Sequence, residues 1–149
     1  MLFQSNQNAN LLKDYGGEPI VLDLEKLAYL NNNFRLAIWT GERLQTTLMQ
    51  IPVGGAIGLE MHHDVDQLLI VADGVGMAKM GKEEDALTYQ RGIKSGCGIF
   101  IPACTWHNII NTGSRPLKLI SVYAPPQHPF GTVHATKADA DRAEEGYGK

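Results

Sequence analysis

Cysteine is scarce in this chain: two residues, Cys97 and Cys104, among 149. Two thiols cannot form a disulfide framework, and reduced cysteines fit a cytoplasmic protein. Long apolar runs are missing too; none approaches the roughly 20 residues that a membrane span requires. The first ten residues lack the charged and apolar regions of a secretory leader. Basic clusters are also absent. The net charge is −3, which argues against nucleic acid or an anionic membrane surface as partner. No internal repeat of fixed period and no low-complexity tract interrupts the sequence. What remains is 44% hydrophobic and 19% charged, the composition of an ordered globular protein. The length suits one domain with a sizeable core.

Residues 1–15 are polar and rich in Asn and Gln, so they are expected to be loose or held by a partner subunit. Residues 20–24 read as a short strand, and Asn31-Asn32-Asn33 as a turn. Strand patterns follow at 34–40, 44–51, 57–62, 67–72, 75–80, 86–89, 98–101, 106–111 and 117–124. Turns such as Asp73-Gly74, 92–96 and Pro102-Ala103-Cys104 link them. Many short strands with Gly and Pro punctuation, and no amphipathic helix between them, exclude βαβ units and predict an antiparallel barrel or sandwich. Beyond Pro125-Pro126, Thr136 and Asp139 have the spacing to cap one short helix ending near Glu145.

Two segments carry the chemistry. One is Gly54-x5-Glu60-x-His62-x4-Gln67-x6-Gly74; the other is Gly96-x5-Pro102-x-Cys104-x2-His107-x3-Asn111. Strand side chains alternate between faces, so Glu60 shares a face with His62, and His107 shares one with Asn111. The segments are spaced as the halves of one metal site lining a small barrel. His63 has the opposite parity and is expected to face outward.

With these residues in order, the chain resembles the cupin superfamily, specifically the small single-domain cupins of the sugar-phosphate-isomerase-like group. The first cupin motif runs Gly, five residues, His-x-His, three or four residues, Glu, six residues, Gly. Gly54, His62 and Gly74 match it, while Glu60 stands at the first His and Gln67 at the Glu. The second runs Gly, five residues, Pro-x-Gly, two residues, His, three residues, Asn. Gly96, Pro102, His107 and Asn111 match, and Cys104 replaces the middle Gly. The resemblance covers residues 44–124.

It implies an all-β fold, a double-stranded β-helix or jelly-roll barrel. The N-terminal extension with edge strands would span 1–43, the barrel 44–125 and the tail 126–149. It further implies a homodimer, in which an edge strand from 18–40 would complete a neighbour's sheet. The metal ligands carried over are Glu60, His62, Gln67 and His107. Two imidazoles, a carboxylate and a neutral oxygen suit a divalent ion: zinc, iron(II), manganese or nickel. With one anionic ligand, such an ion keeps about one unit of positive charge, which favours an anionic ligand or a bound hydroxide.

Each residue also has a plainer reading. A lone inward His is commonly a hydrogen-bonded core residue, Glu60 would otherwise be salt-bridged or a base, and Gln67 an amide that orients a neighbour. Cys104 is a small filler or a soft ligand at the barrel mouth, and Asn111 a turn residue. Trp106 belongs to the core or the rim. Arg35, Trp39, Tyr89 and Tyr123 are candidates to touch a ligand in the barrel. The segment 124–134, with His128 and His134, is either a lid that supplies an acid or base, or a linker docked on a neighbouring subunit. Two main functions stand open. One is a metal-dependent enzyme of isomerase or dioxygenase type, acting on a small polar or anionic metabolite such as a sugar phosphate. The other is a non-catalytic cupin that binds metal or a small ligand as sensor or accessory protein. A purely structural protein, with no metal, is a third option.

Overall fold

A computed structural model describes residues 11–147. In chain order it contains helix α1 (Leu24–Leu30), strands β1 (Arg35–Thr40), β2 (Gln45–Ile51), β3 (Asp66–Asp73), β4 (Val75–Gly81), β5 (Tyr89–Lys94), β6 (Gly98–Ile101), β7 (Trp106–Asn111), β8 (Leu117–Ala124) and β9 (Val133–His134), and helix α2 (Lys137–Tyr147). A six-stranded sheet has the order β6-β3-β8-β2-β1-β9, and a three-stranded sheet the order β5-β4-β7. All pairings are antiparallel. This is the expected all-β jelly-roll barrel.

The two sheets read differently in sequence because their surroundings differ. Strands β4 and β7 alternate between buried and less buried positions, as a sheet with one covered face must. Strands β2 and β8 are buried almost continuously. The inner face of their sheet joins the barrel core, where Met49, Leu69, Ile109, Leu117 and Leu119 meet. The outer face carries a second core, in which Leu27 and Ala28 of α1 cover Leu36, Ile38, Leu48 and Ile120.

Several local expectations are corrected. Residues 20–24 form no strand; Asp23 instead caps α1, its carboxylate accepting from the Lys26 N–H at 3.1 Å. Leu24, Leu27 and Ala28 then supply the spacing of an apolar helix face. The stretch 57–62 is not a continuous strand but makes isolated bridges, Ala56 to Ile110 and Glu60 to His107. The strand expected at 86–89 lies later, as β5, and takes up part of the 92–96 link. The tail adds a further short strand, β9.

The edge offered to a neighbouring subunit is also filled from within the chain. β9 pairs with Arg35 and Leu36. Further along β1, Ala37 N–H donates to the Thr132 carbonyl, the Ile38 carbonyl accepts from Tyr15 N–H, and Thr40 N–H donates to the Gly16 carbonyl. Asp14 fastens this corner, accepting from Thr40 Oγ1 and from the Gly131 N–H. Residues 11–15 are therefore held by their own chain, whereas 1–10 lie outside the described residues.

The C-terminal segment belongs to the barrel wall. Gln45, wholly buried in β2, accepts from the Gln127 and His128 N–H groups and donates to the His128 carbonyl at 2.8 Å. Thr136 and Asp139 make the expected reciprocal cap of α2, and Ala140 reaches the barrel core. Lys118, on the outer face of β8, reaches the last turn of α1, where its ammonium bonds the Asn31 carbonyl. A cation there complements the helix dipole.

Candidate metal centre

Glu60 and His107 are exact cross-strand partners. Glu60 N–H donates to the His107 carbonyl at 3.0 Å, and His107 N–H to the Glu60 carbonyl at 2.9 Å. Such a pair puts both side chains on one face. His62, two residues beyond Glu60, has the same parity. Its carbonyl accepts from the Cys104 N–H at 2.7 Å, which ties the first motif to the second. One candidate ligand atom from each of Glu60, His62 and His107 lies within 4.8 Å of the other two.

The electrostatics of these atoms suit a cation. His107 is 1% exposed, and its Nδ1–H reaches the Thr105 carbonyl at 3.0 Å. That contact assigns the proton to Nδ1 and leaves the Nε2 lone pair free. Burial pushes the His107 imidazole below its ordinary pKa, against the Thr105 carbonyl and Glu60, which favour the charged form. A neutral imidazole is the form that ligates. His62 Nε2 is 3.2 Å from Glu60 Oε2, yet it is buried with no aligned hydrogen-bond partner. Burial alone would raise the Glu60 carboxyl; His62, Arg35 and His107 around it outweigh that and hold it below the usual carboxylate value. The free His107 nitrogen, the unpartnered His62 Nε2 and one ionised carboxylate make a donor set that fits a divalent transition-metal ion.

Gln67 faces the same interior from β3, opposite Tyr123 and Ile101 in register. Its Nε2 donates to Ser121 Oγ at 2.9 Å, while Oε1 is buried without a partner. The amide thus presents a neutral oxygen that no other group engages. His63 is exposed, as its parity predicts. Asn111 is a turn residue: its side chain donates to the Ile51 and Arg115 carbonyls and accepts from Gly113 N–H. Cys104 is exposed and has the only positive φ, 64°, among the described non-glycine residues.

Of the four candidates for ligand contact, two join this region. Arg35 is 2% exposed, with one guanidinium nitrogen 3.9 Å from Glu60 Oε1 and another 3.3 Å from His134 Nδ1. Tyr123 stands edge-on to His62 and to His128, ring centroids 6.1 and 5.2 Å apart. Trp39 turns away and donates to the Glu18 carbonyl, and Tyr89 is half-exposed on a separate cavity. That cavity, of about 930 Å³, is walled by Met80, Ile93, Cys97, Ile99 and Phe100. Met80 is the cross-strand neighbour of His107, so the two side chains share a face of the three-stranded sheet. A smaller space of about 110 Å³ lies between Glu60, Arg35 and the α2 residues Lys137, Ala140 and Glu144.

His128 and His134 complete the surroundings. Burial, then the Arg35 charge, pushes the His128 imidazole down to about 3. The same two causes lower His134. The C-terminal segment therefore brings two neutral, largely buried imidazoles to the site, which sequence spacing could flag but not aim.

Comparison with known proteins shows the family to which the chain belongs. Residues 47–123 match the cupin domain family. The uncharacterized protein YrkC of Bacillus subtilis (strain 168) is 55% identical over 135 residues, which cover 91% of this chain and 73% of that protein. The uncharacterized protein L612 of Acanthamoeba polyphaga mimivirus is 33% identical over 130 residues, 87% of this chain and 74% of its own. The crystal structure of BH2720 from Bacillus halodurans superposes with a TM-score of 0.87 at 52% identity, covering 87% of this chain and 98% of that one.

Proposed function

This chain belongs to the cupin family, and from that premise we propose that it is a metal-dependent enzyme acting on a small anionic metabolite. The observation that carries the reading is the convergence of Glu60, His62 and His107, with ligand atoms within 4.8 Å of one another. These three would hold a divalent ion, with the unpartnered Gln67 oxygen as a fourth donor. A bound ion would polarise a carbonyl or activate a water. The chain's own residues do the rest. Glu60 brings the single negative charge, the Thr105 carbonyl fixes the His107 tautomer, and the buried wall of Tyr123 and His128 limits access of water.

Two reaction classes fit, isomerisation of a sugar phosphate and oxygen-dependent cleavage. A zinc-loaded and an iron(II)-loaded sample, run through an aldose–ketose panel and an oxygen electrode, separate them. Turnover that disappears on chelation and returns with the ion supports the enzyme. Full metal occupancy with no turnover on either panel would favour the alternative, a cupin that binds metal as sensor or accessory protein. Homodimer formation is part of the proposal. It is supported by the outer edges of β5 and β6, which carry no further strand among the described residues, and light scattering in solution tests it. A reducing cytoplasmic setting accords with two free cysteines and with the lack, among the described residues, of a helix long and apolar enough to cross a membrane.

A further inference from the structure

The two open sheet edges are not alike. An open edge invites pairing with another chain, and proteins commonly guard it with charge, above all with lysine. β5 follows that rule, since Arg91 and Lys94 are exposed along it. β6 does not. Gly98–Ile101 carries no charge, and the large side chain it shows to solvent is Phe100, 72% exposed.

The backbone of β6 is open as well. Val71 N–H donates to the Cys97 carbonyl and Gly96 N–H to the Val71 carbonyl. Ile99 and Ile101 stand opposite Leu69 and Gln67 of β3. Ladder groups alternate in direction along a strand, so the N–H and C=O of Gly98 and Phe100 point away from β3. No strand among the described residues takes them.

Beside this edge runs a bare apolar row. On the outer face of the large sheet Phe100 lies opposite Leu68, and Leu68 opposite Val122. Helix α1 covers the next row, with Ile70 and Ile120, and stops short of this one. A recess of about 290 Å³ follows the row, and Asp66 is the only charged residue lining it. The Asp66 carboxylate is engaged by the Ala103 N–H at 2.9 Å. The Phe100 ring leans back over Gly98, its Cε1 3.3 Å from the place a Cβ would take there.

Resting on the homodimer reading, we propose that a second copy of this chain covers the patch, β6 pairing antiparallel with β6 across a two-fold axis. A two-fold contact must be self-complementary, and this strand is. With Ile99 opposite the partner's Ile99, each Phe100 faces the partner's Gly98, a large side chain against none. The open N–H and C=O groups of those two residues then meet. The two Phe100 rings become diagonal neighbours on one face, and the bare rows of both protomers join in one apolar strip without a free charge. The same operation on β5 would gather two Arg91 and two Lys94 residues in a short ribbon, where like charges repel. The large sheets of the two protomers thereby become one.

Light scattering and sedimentation of the full chain test this, with amide exchange read by NMR. Wild type is expected to be dimeric, with the Gly98 and Phe100 amides slow to exchange. Phe100→Asp is expected to raise the dimer dissociation constant about a hundred-fold or more, as loss of a central aromatic contact does, and to release both amides. Arg91→Asp leaves the dimer intact. Phe100 is exposed, so the fold should survive; if Phe100→Asp fails to fold, Phe100→Ser replaces it with the same expectation. A dimer that survives the Phe100 substitution, fast Gly98 and Phe100 amides in the wild-type dimer, or dissociation by Arg91→Asp overturns this inference and leaves the homodimer standing. A monomeric wild type overturns both and leaves the patch to a different chain.

Discussion

Cys104 sits at φ 64°, in the left-handed region that a side chain other than glycine adopts at a cost of about 1 kcal/mol. It occupies the position where the second motif has glycine. Nothing compensates beyond a weak 3.5 Å contact from its sulfur to the His63 carbonyl. Cys104→Gly is therefore expected to raise stability by about 0.5–1 kcal/mol in urea denaturation, with metal content unchanged. Loss of the ion in that variant would instead make the thiol a ligand.

His128 gives a pH signature of opposite origin. In the folded chain its pKa falls from 6.5 to about 3, burial first and Arg35 second. Between those values the unfolded chain carries the extra proton, so stability rises with pH across the window and is complete above 6.5. On acidification it is lost by at most about 1.4 kcal/mol per pH unit for this one proton. Chelated wild type should show this slope in denaturation between pH 6 and 4, and His128→Phe should flatten it. An unchanged slope would mean that the ring is already solvated. At this scale strand parity was enough to bring Glu60 and His62 to one face and to turn His63 away. The direction of Arg35 was not readable, because it depends on β9 closing over β1 from 99 residues away along the chain.

Among the elements, α1 shows why local pattern misleads. Residues 20–24 look like a strand until Asp23 is seen as a cap and Leu27 and Ala28 as a face that needs a sheet to cover. Leu27 is 3% exposed, so Leu27→Ala should cost about 2–4 kcal/mol in chemical denaturation. Asp23→Ala should cost about 1 kcal/mol, the usual worth of an N-cap. A smaller effect for Leu27 than for Asp23 would deny the helix its packing role. The misplaced β5 has a related cause. Four of its first five residues are exposed, so it lacks the apolar alternation by which a strand is recognised. The α2 cap was readable because Thr136 and Asp139 satisfy each other locally.

At the scale of the whole molecule, dividing the chain at 43 and 125 into extension, barrel and tail is a proposal about folding units. The tail supplies β9 to the large sheet, Ala140 to the core and His128 and His134 to the site. Deletion of 126–149 is expected to lower the thermal midpoint sharply and to uncover the β1 edge, seen as rising light scatter on heating. A truncated protein as stable as the full chain would show the tail to be an ornament on an independent barrel. The fold was legible because turn chemistry and strand spacing recur throughout 44–124. The two-sided burial of the large sheet was not, since it depends on which segment returns to cover the outer face.

The account turns on one ion among Glu60, His62 and His107. An anomalous difference map from a crystal of the purified protein, recorded on both sides of the absorption edge of whichever metal elemental analysis finds, addresses it directly. A single edge-dependent peak bonded to the His62 and His107 nitrogens and a Glu60 oxygen is the expected result, and it should vanish in a His107→Ala crystal. A Glu60 carboxylate hydrogen-bonded to His62 with no anomalous peak between them, in protein grown with the metal supplied, would contradict it.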